Sequence, residues 1–253
     1  MLTFALQSGS HGNCIYVETE HARLLFDAGI SGKMAQHRLS QYDRDVRDID
    51  AVIISHDHRD HVSGAGIFHR KFHLPVYITP NAWSACRSVC GPVEKLHHFI
   101  PGQKLHFGAT IVRTIPTPHD SVDSVAFVIE HDRKKLGIFT DLGHRFDGIE
   151  KWIRKLDGLY LESNYDPDML RRGDYPPWLK RRIAGPGGHL SNQQAAQLVL
   201  DCSPQLQFLA LAHLSQNNNH PCLALAQARK ILPPHLHIAP LLRTRASELF
   251  TVE

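Results

Sequence analysis

Ala51-Val-Ile-Ile-Ser-His56-Asp57-His58-Arg59-Asp60-His61 is the stretch on which the fold turns. Its first part is an apolar β-run; its second crowds His56, His58, Asp60 and His61 into six residues. If the chain stays extended past Ile54, side chains alternate with period two, so His56 and His58 point the same way. Asp60 and His61 then open a helix and, as adjacent positions, fan toward a second centre. Donors this close in sequence need almost no loop closure to meet. Imidazoles suit borderline metals and a carboxylate suits harder ones, so the mixture fits zinc, manganese or iron. The chain holds 19 histidines, so a His-rich polar loop is the plain alternative. The regular alternation at a strand end argues against it.

Working outward, runs rich in Val, Ile, Phe and Leu, bounded by turn residues, predict strands over 2–6, 14–18, 22–26, 51–54 and 76–78. Helical spacing covers 33–41 and 61–71, and strands return at 110–115, 124–131 and 135–139. Helices over 148–155, 176–182, 192–200 and 222–231 then alternate with strands over 158–161, 206–211 and 236–239. A β-rich opening followed by mixed α and β, occurring twice, predicts two βα halves packed sheet on sheet with helices outside. No repeat, low-complexity tract or linker interrupts the sequence, so residues 1–253 are expected to form one domain.

Composition narrows the class. Hydrophobic residues make up 42%, which places the chain among globular rather than disordered proteins. A net charge of +3 is too mild to identify a nucleic-acid binder, but it is compatible with an anionic substrate. The opening residues lack a basic region followed by an apolar one, so no secretory signal is expected. No apolar stretch reaches the length of a membrane span. Cys14, Cys86, Cys90, Cys202 and Cys222 are odd in number and scattered, unlike a disulfide framework, and a cytoplasmic location is the expectation. Cys86 and Cys90, four apart, read as small buried hydrophobes rather than a zinc site, because no second Cys/His pair is near.

The motif His56-x-His58-x-Asp60-His61 after a hydrophobic strand resembles the HxHxDH signature of the metallo-β-lactamase superfamily. The resemblance implies an α/β fold, a four-layer αββα sandwich, with further ligands in fixed order along the chain. Asp27, in Leu24-Leu-Phe-Asp, matches the family's early aspartate, which braces the metal loop. His119, in Pro116-Thr-Pro-His, matches the next ligand and would complete a set with His56 and His58. Asp141, in Gly137-Ile-Phe-Thr-Asp, matches the aspartate that bridges both metals. His213, in Leu209-Ala-Leu-Ala-His, matches the last ligand and would join Asp60 and His61. The implied cofactor is a pair of divalent ions, zinc or manganese with iron as a third option. Two such ions about 3.5–4 Å apart can hold a bridging hydroxide at neutral pH. Ligand histidines need their second ring nitrogen fixed, a task open to Asp27 or Asp57.

The branch rests on other residues, because one fold hosts many chemistries. Thioesterases of the glyoxalase II type read Pro-Gly-His-Thr where this chain has Thr117-Pro-His-Asp. Four segments instead resemble the small YycJ-like phosphodiesterase/nuclease branch: Ser8-Gly-Ser-His-Gly-Asn-Cys, Leu161-Glu-Ser-Asn-Tyr-Asp with Met169-Leu170, Gly188-His-Leu-Ser-Asn, and Ala212-His-Leu-Ser-Gln-Asn-Asn-Asn. The match spans about residues 2–240 and departs at Tyr165, where the family more often has histidine. It implies a metal-dependent phosphodiesterase, a nuclease with 5′→3′ exonuclease action, in which Asp60 and His189 take part in catalysis. Its substrate would be nucleic acid or another phosphodiester.

Within that resemblance, His189 stands where related tRNA-processing endonucleases place a histidine near the scissile phosphate; the plain reading is a polar turn residue before a helix capped by Ser191. Ser8, Ser10, Asn13, Asn164, Asn217 and Asn218 are the expected substrate contacts. Arg171, Arg172, Lys180, Arg181 and Arg182 flank Tyr175-Pro-Pro-Trp178, which reads equally as a nucleic-acid surface or a solvated helix face. Two alternatives stay open: hydrolysis of a small ester, thioester or cyclic phosphodiester, and a non-catalytic metal-binding paralogue. The intact ligand set argues against the latter.

Overall fold

In this computed structural model residues 1–202 and 205–253 are described. The first half runs β1 (Leu2–Gln7), β2 (Cys14–Glu18), β3 (Arg23–Phe26), α1 (Gly32–Ser40), β4 (Ala51–Ile53), α2 (Arg59–Val62), α3 (Ala65–Phe72), β5 (Val76–Ile78), α4 (Pro80–Cys90) and β6 (Leu96–His98). The strands β7 (Lys104–Phe107), β8 (Thr110–Pro116), β9 (Val125–His131) and β10 (Lys134–Phe139) follow. Then come α5 (Asp147–Ile153), β11 (Gly158–Glu162), α6 (Pro167–Arg172), α7 (Pro177–Ala184) and α8 (Asn192–Cys202). The chain closes with β12 (Phe208–Ala212), α9 (Pro221–Ile231), β13 (His237–Pro240) and β14 (Phe250–Thr251).

Among the described residues these strands form two seven-stranded sheets, ordered β14-β1-β2-β3-β4-β5-β6 and β13-β12-β11-β10-β9-β8-β7. Each sheet is antiparallel at one side and becomes parallel where helices begin to cross over, from β3 to β6 and from β10 to β13. The mixed strands are buried on both faces, which explains their nearly continuous apolar sequences. Alternate residues serve different layers. Leu24 and Phe26 face the other sheet while Leu25 meets the outer helices, and Tyr160 faces inward while Leu159 and Leu161 face outward. Phe26 and Phe127 touch across the sheets with ring centroids 5.0 Å apart. Three hydrophobic layers, one between the sheets and one outside each, make the four-layer αββα architecture.

Most expected elements appear within a residue or two of their predicted ends. The expected helix over 61–71 is two helices, α2 and α3. Gly64 divides them: its N–H donates to Ala28 O at 2.7 Å, and a Cβ there would fall 2.2 Å from Ile30 O. The helix α4 was not expected, although Thr79 caps it by accepting from Ala82 N and Pro80 occupies its first turn. Cys86 and Cys90 lie on its buried side with Sγ atoms 3.9 Å apart. The elements α6, β6, β7 and β14 were also missed, being short or poor in apolar periodicity. Among the described residues no helix is long and apolar enough to cross a membrane.

Candidate metal centre

One edge of the sandwich gathers the chemistry. Asp27 follows β3, residues 55–61 follow β4, His119 follows β8, Asp141 follows β10 and His213 follows β12. All leave their strands at the carboxyl end, where side chains from several strands converge. The turn from Ser8 to Asn13 joins β1 to β2 at the same edge. Asp27, Asp141 and His213 adopt φ of 63°, 55° and 54°, left-handed values that cost non-glycine residues on the order of 1 kcal/mol each. Such strain persists only where the surroundings over-determine it, and here it turns each side chain back across the sheet edge.

The expected donors meet. Donor atoms of His56, His58 and His119 lie within 4.8 Å of one another, as do those of Asp60, His61 and His213. Asp141 stands between the groups: its Oδ2 is 3.2 Å from His61 Nε2, and its Oδ1 is 3.7 Å from His119 Nε2 and 3.6 Å from His213 Nε2. His58 Nδ1 and His119 Nε2 face each other at 3.3 Å.

Two buried atoms of this cluster, His56 Nε2 and Asp141 Oδ2, make no well-aligned hydrogen bond among the described residues, although His61 Nε2 stands 3.2 Å from the second. Buried polar atoms are nearly always paired, so two orphans pointing into one donor cluster fit a bound cation.

Ring orientation is set from behind. Ser55 N and Oγ both donate to Asp27 Oδ1 at 2.8 Å, and His61 Nδ1 donates to Asp27 Oδ2 at 2.7 Å. His56 Nδ1 donates to Ser55 Oγ at 2.9 Å, which leaves its Nε2 lone pair toward the cluster. Asp27 therefore steers two histidines, one directly and one through Ser55. Asp57 is engaged elsewhere, accepting from Val122 N at 3.0 Å. His119 Nδ1 donates to Gly188 O at 3.1 Å, and the Asn164 amide lies 3.1 Å from His213 Nδ1.

Electrostatics agree with a cation site. Burial, reinforced by the charges of His61, His119 and His58, holds His56 well below the ordinary imidazole value, in the neutral ligand form. Burial opposes charge on Asp141 and Asp60, but neighbouring imidazoles outweigh it and keep both ionised. Against burial, Asp141 and Asp60 push His213 up to about 9, and Asp27 leads the carboxylates that raise His61. Without metal, protons on His61 and His213 balance the carboxylates; divalent ions displace those protons on binding.

Beside the donors lies a cavity of about 320 Å³ lined by Ser10, His58, Arg59, Arg182 and His189, among others. A larger hollow of about 640 Å³ opens by Tyr42 and Arg245, but it gathers no group of metal donors. His189 faces the smaller cavity, and its Nδ1 donates to Glu162 Oε1 at 2.5 Å. Ser191 does cap α8, in a reciprocal pair with Gln194, so the cap and the exposure of His189 to the cavity coexist. Glu162 escaped the sequence reading. It is fully buried, and its Oε2 accepts from Leu142 N and Leu190 N at 3.1 Å. Its signal was a carboxylate ending an otherwise apolar strand, a residue rarely buried without partners.

The expected substrate contacts divide. Ser10 is exposed at the cavity. Ser8, Asn13 and Asn164 are buried and bonded inward: Asn13 Nδ2 donates to Asp60 Oδ2 at 3.2 Å, and Ser8 Oγ accepts from His213 N at 2.8 Å. They brace the donors rather than face solvent. Asn217 donates to Tyr175 Oη; Asn218 is buried, its backbone carbonyl accepts from Asp166 N, and its side-chain Nδ2 has no partner among the described residues; neither lines the cavity. For Ser8, Asn13 and Asn164, local bonds occupy the short polar side chains before they can meet a ligand.

A profile of the beta-lactamase superfamily domain matches residues 22–213. The chain belongs to the metallo-β-lactamase superfamily. It is 34% identical to the exodeoxyribonuclease YycJ of Bacillus anthracis over 230 residues, covering 90% of this chain and 87% of that protein. It is also 34% identical to the exodeoxyribonuclease WalJ of Streptococcus pneumoniae over 219 residues, covering 85% and 81% of the two chains. The metallo-beta-lactamase fold protein YhfI of Bacillus subtilis superposes with a TM-score of 0.75 at 18% identity, covering 98% of this chain and 99% of that one. As a member of this superfamily the chain is a metal-dependent hydrolase.

Gly188 deserves a test within this metallo-β-lactamase framework, because its carbonyl holds His119 and its neighbour is His189. A Cβ there would lie 2.2 Å from the carbonyl oxygens of both Arg182 and Ile183, so the loop must move. Gly188→Ala is expected to lower turnover about 100-fold and weaken metal binding about tenfold, the scale of a lost supporting bond. Metal titration alongside kinetics checks it; a variant matching wild type in both would show that the loop yields freely.

Proposed function

We infer that this chain is a binuclear metal-dependent phosphodiesterase acting on DNA, a 5′→3′ exonuclease, working as one unit over residues 1–253. The observation that carries the reading is the cavity in which His189 and the cations Arg59 and Arg182 face the donor cluster. The exodeoxyribonuclease activity named for two relatives, each matched over more than four-fifths of its length, supports DNA as the substrate.

His56, His58 and His119 would hold one divalent ion and Asp60, His61 and His213 the other, with Asp141 shared; zinc or manganese suits this nitrogen-and-oxygen set, and iron also fits. Bound there, such ions lower the pKa of water and neutralise charge on the phosphate. Arg59, without a carboxylate partner among the described residues, binds a non-bridging phosphate oxygen. His189 holds a proton at Nε2 and gives it to the departing oxygen, while Glu162 keeps Nδ1 protonated and stabilises the imidazolium. Ser10 lies where its hydroxyl can donate to the phosphate.

The test offers metal-loaded protein a 5′-phosphorylated single-stranded DNA, the matching RNA, bis-p-nitrophenyl phosphate and an acyl-glutathione. Nucleotide release from the 5′ end of DNA, abolished by chelator, is expected. Thioester turnover without phosphodiester turnover would sink the reading. Two bound metals with no turnover of any substrate would leave a binding protein instead.

A further inference from the structure

The helix α7 buries none of its eight residues. Its side chains are therefore left to face outward, and its position is informative. Its carboxyl end is bound to the site: His189 N donates to Ile183 O at 2.8 Å, and Arg182 lines the cavity beside the metal donors. Arg182 is aimed there by Asp120, which accepts from Nε at 2.5 Å and Nη2 at 3.1 Å. Nη1 has no hydrogen-bond partner among the described residues, so the guanidinium is held and still able to donate.

One helical turn back, four residues from Arg182 and on the same face, stands Trp178. It is 61% exposed. The other tryptophans are occupied: Trp83 packs on the core, and Trp152 lies under Arg113 and Lys155. Trp178 has no aromatic or cationic partner among the described residues. Around it, residues 167–184 carry five basic side chains against two acidic ones. Asp168 is taken by Arg171, and Arg172 and Arg181 have no carboxylate partner among the described residues.

We propose that α7 is a strand-holding ramp for single-stranded DNA, on which Trp178 stacks a base while Arg182 passes the adjoining phosphate to the metal centre. The proposal rests on the nuclease reading and specifies where its polymer lies beyond the scissile bond. An indole offers a π-face to any base, and unpaired cations offer contact to any phosphate, so the ramp binds without regard to sequence. Eight helical residues span about 12 Å, enough for a few nucleotides and no more. The ramp therefore favours substrates longer than a dinucleotide. Its tie to His189 through Ile183 also makes the seated strand a support for the residue that protonates the leaving group.

The experiment compares wild type, Trp178→Ala and Trp178→Phe on three substrates: bis-p-nitrophenyl phosphate, a 5′-phosphorylated dinucleotide, and a 5′-phosphorylated single-stranded dodecamer. In Trp178→Ala, KM for the dodecamer should rise about tenfold with kcat nearly unchanged, the scale of one lost stacked base. Turnover of bis-p-nitrophenyl phosphate and of the dinucleotide should be unaffected. Trp178→Phe, which keeps a stacking ring, should restore most of the KM. A dodecamer cleaved with the same KM by wild type and Trp178→Ala overturns the ramp alone and leaves α7 as a face for some other macromolecule. Wild type that hydrolyses bis-p-nitrophenyl phosphate but neither oligonucleotide overturns the nuclease reading and the ramp with it.

Discussion

Asp141→Ala is expected to remove at least about a thousandfold of the hydrolytic activity and most of the metal, because among the described residues no other carboxylate stands between the two donor groups. The residue is 2% exposed, with His61 beside its Oδ2 and His119 and His213 beside its Oδ1. Deleting it leaves those imidazoles without the charge that makes a dication welcome, and a pair of bound cations, as proposed, would lose the group that screens their repulsion. Asp141→Asn keeps the shape but not the charge, and it should fail nearly as badly. Stability gives a second readout. Wild type with metal at about a thousand times its Kd gains roughly 4 kcal/mol, which raises the melting midpoint of a chain this size by about 10 °C. The variants should lose most of that gain, measured as the difference between metal-loaded and chelated samples. Normal metal content and activity in Asp141→Ala would end the case for a shared carboxylate.

His189→Ala should leave metal content intact while lowering kcat on DNA by about a hundred- to ten-thousandfold, the usual range for general acid catalysis. Glu162→Gln should fall between, at about ten- to a hundredfold. Glutamine presents an N–H to the ring where the carboxylate accepted one, so the protonated imidazole loses its counter-charge. The leaving group separates this role from mere support. A p-nitrophenolate departs without help, so both variants should be far closer to wild type on bis-p-nitrophenyl phosphate than on DNA. Equal losses on the two substrates would place His189 in binding or positioning instead of proton transfer.

How much of this could be read before the fold was known varies with the physics of each part. Alternating and continuous apolar runs marked most strands, since central strands such as β11 and β12 bury both faces while edge strands bury one. The spacing of His56, His58, Asp60 and His61 foretold a cluster, because that geometry is local. His119, Asp141 and His213 are separated by dozens of residues, and only the resemblance linked them. Glu162 and Ser55 were overlooked for a different reason: their roles come from burial and from which atom faces which, properties that no spacing reveals. Ser8, Asn13 and Asn164 were expected to meet substrate, and the structure shows their side chains bonded inward to the donor loops, since a turn residue near a site can point inward or outward. The backbone strain at Asp27, Asp141 and His213 left no mark in the sequence at all.

The donors are divided unequally between the two sheets, and that division has a consequence in time. Residues 56–61 carry four candidate donors beside the first sheet, while His119, Asp141 and His213 follow strands of the second, so the full set needs both sheets in place. An ion captured early meets three imidazoles and one carboxylate, a set that favours copper and zinc by intrinsic affinity. An ion arriving after docking meets a second, buried carboxylate and a finished shape that is more hospitable to manganese. Protein refolded in a metal mixture is therefore expected to differ in metal content from protein loaded after it has folded, which elemental analysis of the two preparations checks.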